Sequence, residues 1–176
     1  MSIPGVTQRP LRDSYEVVIA GAGLQGVALG YELARLGVRD VAVVDATWPG
    51  AGASGRNGEM IRSAFASEEW TRLFDVSLQR WHGLSAELDF NTLFTPAGYV
   101  VVATTEQEVR GLREQLPLHR RLGVRSEWLD DAQLRELLPA AAPDLLAGGV
   151  WQDHAGFAHH DATLWGYARA AARLGV

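Results

Sequence analysis

The sequence predicts an α/β fold built around a Rossmann-type parallel sheet, and three observations carry that expectation. Tyr15 to Ala20 is a short run rich in β-branched residues that closes on glycine, as a buried strand does. Gly21-Ala22-Gly23-Leu24-Gln25-Gly26 then fits G-x-G-x-x-G. A helical pattern and a second strand follow, and that strand ends on Asp45, twenty-two residues after Gly23. Strand, glycines, helix, strand and acid together make one complete βαβ dinucleotide-binding unit.

Each part has a physical role. Leu24, Val27, Ala28, Tyr31 and Ala34 recur at spacings of three and four, which gives the helix an apolar face. Gly37 ends it, and Val41-Ala42-Val43-Val44 forms the second strand. Gly21 permits the tight turn, Gly23 lets the main chain approach a pyrophosphate, and Gly26 lets the helix pack on the strand. Unpaired N–H groups at the helix start face the phosphates. Asp45 accepts hydrogen bonds from a ribose and repels a 2′-phosphate. The repulsion is about 4 kcal/mol per charge pair at ~4 Å and an effective dielectric of about 20, which disfavours NADP.

After Asp45 the sequence departs from a nicotinamide-binding pattern, which would proceed to another helix and strand of the same sheet. Ala46-Thr47-Trp48-Pro49 leads instead into Gly50-Ala51-Gly52-Ala53-Ser54-Gly55-Arg56-Asn57-Gly58. Four glycines in those nine residues make a loop able to aim several N–H groups at one anion, with Ser54, Arg56 and Asn57 as side-chain donors. A solvent-exposed flexible loop is the plainer reading of the same residues.

Composition narrows the function classes. A net charge of −5 over 176 residues, with a pI near 5.5, leaves no footprint for nucleic acid or an anionic membrane. The arginines at 110, 113, 120, 121 and 125 are interspersed with Glu106, Glu108, Glu114 and Glu127, the pattern of a solvated helix face. The absence of cysteine excludes disulfides, thiolate metal sites and a cysteinyl-linked flavin. No apolar run approaches a membrane span and Met1-Ser2-Ile3-Pro4 lacks a signal pattern, so a cytoplasmic location is expected.

Further along, Ser67-Glu68-Glu69 starts a helix with Trp70, Leu73, Phe74, Trp81, Leu84 and Leu88 on one face, expected as core. Tyr99 to Thr104 reads as a strand. Thr105 and Glu108 make a capping box for a helix disturbed at Pro117 and finished by Gly123. Asp130 and Gln133 cap a short helix stopped by Pro139, and Gly148 to Trp151 is another strand. A last helix, capped by Asp161, turns Leu164, Tyr167, Ala168, Ala171 and Leu174 inward. His154, His159 and His160 suggest a metal, but adjacent His159 and His160 point apart on an extended chain, and no metal site is expected.

VVIAGAGLQGVALGYELARLG, VAVVDA and GAGASGRNGEMIRSAF together resemble the FAD-dependent amine and amino-acid oxidoreductases: glycine oxidase, D-amino-acid oxidase and the sarcosine oxidases. Within that family the stretch GAGASGRNGEMIRSAF resembles the β-subunit type of sarcosine oxidase and related N-methyl amino-acid and proline dehydrogenases. The resemblance implies FAD as cofactor, held by residues 21–26, Asp45 and Ala46, with Ser54, Gly55, Arg56 and Asn57 along the pyrophosphate and flavin. It implies that Arg62 grips a substrate carboxylate; a surface or pyrophosphate-side arginine is the other reading of that position. Glu59 stands where relatives carry a basic or small polar residue, and His160 stands in place of a proline. No histidine precedes the GRNG loop, so a histidyl-linked flavin is not implied there.

The implied organisation is a lead-in over 1–13, a first part of the FAD-binding domain over 14–94, a partly antiparallel substrate-domain segment over 95–152, and a return to the FAD-binding domain over 153–176. The implied reaction oxidises the C–N bond of a small amine, an amino acid or an N-methyl amino acid by hydride transfer to flavin. A second chain, or a missing C-terminal half, is expected as partner. Two alternatives remain at this point: an NAD-dependent dehydrogenase, and a non-catalytic dinucleotide-binding subunit that needs a partner.

Overall fold

The computed structural model describes Ile3, Val6, Pro10 and residues 12–176, so the expected lead-in over 1–13 lies largely outside the described residues. In chain order the elements are β1 (Val17–Ala20), α1 (Leu24–Arg35), β2 (Val41–Val44), β3 (Met60–Ile61), α2 (Glu68–Glu87), β4 (Tyr99–Ala103), α3 (Glu106–Leu122), β5 (Glu127–Leu129), α4 (Asp131–Leu137), β6 (Gly148–Gln152), β7 (Gly156–Phe157) and α5 (His160–Arg173). They group into two compact units. The first holds residues 1–59, 83–94 and 158–176, and the second holds 60–82 and 95–157. Residues 60–82 therefore cluster with the inserted stretch and not with the first 59.

In the first unit β1 and β2 pair in parallel, Val17 opposite Val41 through Ala20 opposite Val44, with α1 as the crossover. Helix α5 packs on α1, where the rings of Tyr31 and Tyr167 meet edge to face at 5.6 Å. Small residues on α5 permit the approach: Ala168, Ala170 and Ala171 are all buried. The expectation of a buried β1 holds for one face only. Ile19 is buried, whereas Val18 is 57% exposed, because a parallel sheet needs a layer on each side and one face of this strand has none among the described residues.

The second unit is antiparallel, with strand order β4-β6-β5 and β6 buried at the centre. A separate pair joins β3 to β7, Met60 opposite Phe157. Both expected capping boxes form, Thr105 with Glu108 and Asp130 with Gln133. Helix α3 runs through Pro117 to Leu122, where Gly123 closes it in the left-handed region at φ +73°. The missing N–H of Pro117 strands only the carbonyl of Arg113, and both residues are exposed, so water can serve that carbonyl.

The expected core face of α2 is only half right. Leu84 and Leu88 are buried, but Trp70 and Leu73 are 55% and 60% exposed, while Thr71 and Leu78 are buried in their place. Trp70 and Phe74 instead continue an aromatic row from Phe65, with ring centroids 5.6 and 4.6 Å apart. The buried face starts one residue later than expected because Thr71 caps back onto the carbonyls of Phe65 and Ser67. Two smaller expectations at the last helix also shift. Leu174 is 38% exposed, and Asp161 is the second residue of α5, the N-cap position being held by His159.

One buried amide organises the start of the second unit. Gln152 Oε1 accepts from the N–H groups of Ser63 and Ala64 at 3.1 and 2.9 Å, and its Nε2 donates to Ser63 Oγ at 3.1 Å. His119, also buried, is satisfied at both ring nitrogens, by Ser126 Oγ and by the Phe65 carbonyl. Gln152→Leu keeps the volume and strands two buried N–H groups. Chemical denaturation is expected to read a loss of about 2–4 kcal/mol, and a loss below about 0.5 kcal/mol would show that the amide is not holding this segment.

Candidate dinucleotide-binding site

The site lies in the first unit and begins where β1 stops. Gly21 takes φ +111° and donates its N–H to the carbonyl of Val44 at 2.7 Å, which closes the turn onto the end of β2. Helix α1 then starts at Gly23 with no capping side chain of its own. A β-carbon at residue 26 would lie 1.9 Å from the Gly21 carbonyl oxygen, so the helix can sit on the turn only with glycine there.

The helix start is capped from a distance. Ser54 Oγ accepts the N–H of Leu24 at 2.8 Å, and the N–H of Gly50 donates to the Ala22 carbonyl at 3.0 Å. These two bonds seat the second glycine loop on the first. Among the described residues the N–H groups of Gln25 and Gly26 have no partner, so two amides of the first turn remain to bind an anion. A Cβ on Gly23 would approach Ser54 Oγ to 3.1 Å, so the capping hydroxyl packs closely on a bare backbone there.

Asp45 faces solvent at the end of β2. Its Oδ2 accepts from the Ala22 N–H at 2.8 Å, and its Oδ1 accepts from the N–H and hydroxyl of Thr47 at 2.8 and 2.9 Å. The Thr47 and Ala22 amides hold the carboxyl below its ordinary range, so it stays ionised. It is in no ion pair among the described residues, and a carboxylate with about four lone-pair sites, three of them taken, can still accept from one hydroxyl. Ala46 follows it, exposed.

The second loop is tied internally. Its short 3-10 turn spans Ala53–Gly55, and Asn57 folds back, donating from Nδ2 to the Ser54 carbonyl at 2.7 Å and accepting the Glu59 N–H at 2.7 Å. Asn57 thus spends its amide on the loop. Arg56 is exposed and lines a cleft of about 470 Å³ together with Trp48, Gly50, His160 and Trp165. Arg62 belongs to the second unit. Its guanidinium donates to the Ala64 carbonyl at 2.7 Å and lies over the rings of Phe65 and Tyr99, at 4.2 and 5.4 Å from their centroids.

Glu59, His159 and His160 form a cluster that the sequence reading does not anticipate. The rings of His159 and His160 stack at 5.0 Å and do not point apart, because the chain turns into α5 between them and is not extended there. Glu59 joins them across 101 residues of chain, accepting the His160 N–H at 2.9 Å in the position a capping side chain would take. One donor atom from each of the three lies within 4.8 Å of the others. No local pattern links a glutamate after a glycine loop to a helix start so far away.

Gly26→Ala should dismantle the turn: the helix must move off Gly21, and dinucleotide affinity is expected to fall more than tenfold while the second unit keeps its structure. Calorimetric titration checks this. Unchanged affinity would mean that the helix start is not where the ligand binds.

Comparison with known proteins agrees with this geometry. Residues 16–176 match the family described as FAD dependent oxidoreductase. The chain is 35% identical over 171 residues to sarcosine oxidase subunit beta of Arthrobacter sp, covering 94% of this chain and 42% of that one. The corresponding subunit of Rhodobacter capsulatus is 32% identical over 167 residues, covering 92% of this chain and 40% of the relative. The crystal structure of glycine oxidase from Geobacillus kaustophilus superposes with a TM-score of 0.82 at 28% identity, covering 92% of this chain and 45% of that one. The chain therefore spans about two-fifths of the length of these relatives. Among the described residues no helix is long and apolar enough to cross a membrane. With a Rossmann-type parallel sheet, an inserted antiparallel segment and this glycine cradle, the chain belongs to the FAD-dependent oxidoreductase family, and its cofactor is FAD.

Proposed function

We propose that this chain is the FAD-holding N-terminal part of an enzyme that oxidises the C–N bond of an amino acid or N-methyl amino acid. The observation that carries the reading is the fit of the cradle to an ADP group. Two unpartnered amides at Gln25 and Gly26 lie at the positive end of α1, and an exposed, ionised Asp45 ends the neighbouring strand. Bound FAD supplies the two-electron acceptor for the oxidation. The chain's own residues then bind and orient. Gly21, Ala22, Gly23, Leu24, Gln25 and Gly26 line the pyrophosphate, with the N–H groups of Gln25 and Gly26 as donors, and Asp45, with Ala46 beside it, receives a ribose hydroxyl. Ser54 holds the helix start, while Gly55, Arg56 and Asn57 shape the loop next to it.

Arg62 is the proposed anchor for the substrate carboxylate. One of its nitrogens is bonded to Ala64 and two aromatic rings lie against the planar guanidinium, which leaves the rest of the fork for a bidentate pair. We propose further that additional polypeptide, from the same chain or a second one, completes the enzyme. The half-exposed Val18 on an uncovered sheet face supports this, as do relatives more than twice as long.

Three outcomes test the reading. Anaerobic mixing of the FAD-loaded protein, with its completing polypeptide, with sarcosine, L-proline or glycine should bleach the flavin band; a band unmoved by every amine or amino acid would refute C–N oxidation. Arg62→Ala should raise KM for a carboxylate substrate by about 10- to 100-fold and leave an uncharged amine nearly unaffected. Equal effects on both would remove Arg62 from carboxylate binding. Asp45→Ala should weaken FAD binding about tenfold or more. Because the Asp45 carboxyl is held below its ordinary range, its contribution is complete above about pH 4 and is lost as pH falls through that depressed value. An FAD affinity insensitive to acid in the parent and the variant alike would contradict the ribose role.

A further inference from the structure

The carboxylate of Glu59 is held by more than its own side chain. Its residue sits at φ +58°, in the left-handed region, with its N–H on Asn57 Oδ1 at 2.7 Å and its carbonyl accepting from Ala158 at 3.0 Å. The strained backbone aims Oε1 at the start of α5, where it accepts the His160 N–H at 2.9 Å and lies against His160 Nδ1. That ring nitrogen is buried and makes no hydrogen bond of regular geometry; Glu59 Oε1 is the polar atom lying against it. The His160 side chain is 26% exposed and lines the cleft shared with Trp48, Arg56 and Trp165. The other ring nitrogen, Nε2, lies 3.5 Å from Asp161 Oδ1.

We propose that Glu59 is a positioning residue which, acting through His160, fixes the tautomer of the neutral ring, with hydrogen on Nδ1 and Nε2 left as the accepting nitrogen. The chemistry is one of donors and acceptors. An ionised carboxylate only accepts, so the nitrogen against it must carry hydrogen. The His160 N–H keeps Glu59 ionised, its carboxyl lying below the ordinary range chiefly for that reason. The neutral ring therefore keeps Nδ1–H against Glu59 and leaves Nε2 without hydrogen. The charged groups around it are Glu59, Asp161, whose Oδ1 is 3.5 Å from Nε2, the stacked His159, and Arg56 across the cleft. A ligand in that cleft therefore meets a ring whose open nitrogen is set by a residue it does not touch.

Nitrogen-15 NMR of the imidazoles in the full chain, at a pH where the rings are neutral, tests this without cofactor or substrate. The inference can thus fail while the FAD assignment stands, and the reverse. His160 should show the Nδ1–H tautomer, Glu59→Ala should lose that signature, and His159→Gln should keep it. The helical circular dichroism is read alongside, so loss of the signature with the fold intact separates positioning from simple capping. A parent His160 in the Nε2–H form, or a signature unchanged in folded Glu59→Ala, would overturn the proposal. So would a saturable joint shift of His159 and His160 on adding zinc ions, which would make the three donors a metal site.

Discussion

The whole arrangement depends on a contact that only glycine allows. The backbone at residue 26 presses so closely on the Gly21 carbonyl that any side chain would collide with it. That approach brings the start of α1 under the end of β1 and turns its first amides outward. It also carries the turn to β2, where the Gly21 N–H finds Val44 and the Ala22 N–H finds Asp45. Strand, helix and acid are therefore one hydrogen-bonded object. Moving any one of them moves the other two.

The second loop adds a layer to the same object. Ser54 supplies the cap that α1 lacks, and Gly50 bonds to the turn, so the loop rides on the helix start and is not a free arm. The electrostatic consequence is selective. One amide of the first turn is spent on protein and two are kept, which concentrates the positive end of the helix on a small patch. At its far end the loop hands over to Glu59, whose carboxylate caps α5. A single stretch of chain, residues 50–59, thus finishes two helices that are more than a hundred residues apart.

What could be read from the sequence divides along the range of the interactions. The βαβ unit was legible because every cue in it is local: a β-branched run, a glycine pattern, a period of three and four, and an acid at a fixed distance. The capping boxes at Thr105 and Asp130 were legible for the same reason. Periodicity misjudged α2, since Trp70 and Leu73 match an apolar face as well as Thr71 and Leu78 do, and only packing decides between them. It could not foresee that β1 is covered on one side, which depends on what else stacks on the sheet. The pairing of Glu59 with His160 is the extreme case. The reading that His159 and His160 diverge assumed an extended chain, and the turn into α5 reversed it.

The central claim is that the glycine cradle holds the ADP half of FAD. Competition binding tests it most directly, with FAD displaced from the protein by ADP, by riboflavin and by NADP in parallel. The account predicts that ADP displaces FAD at a single site, that NADP does so poorly because Asp45 repels its 2′-phosphate, and that riboflavin does so only weakly. Displacement by riboflavin as effective as by FAD itself, with ADP without effect, would contradict it.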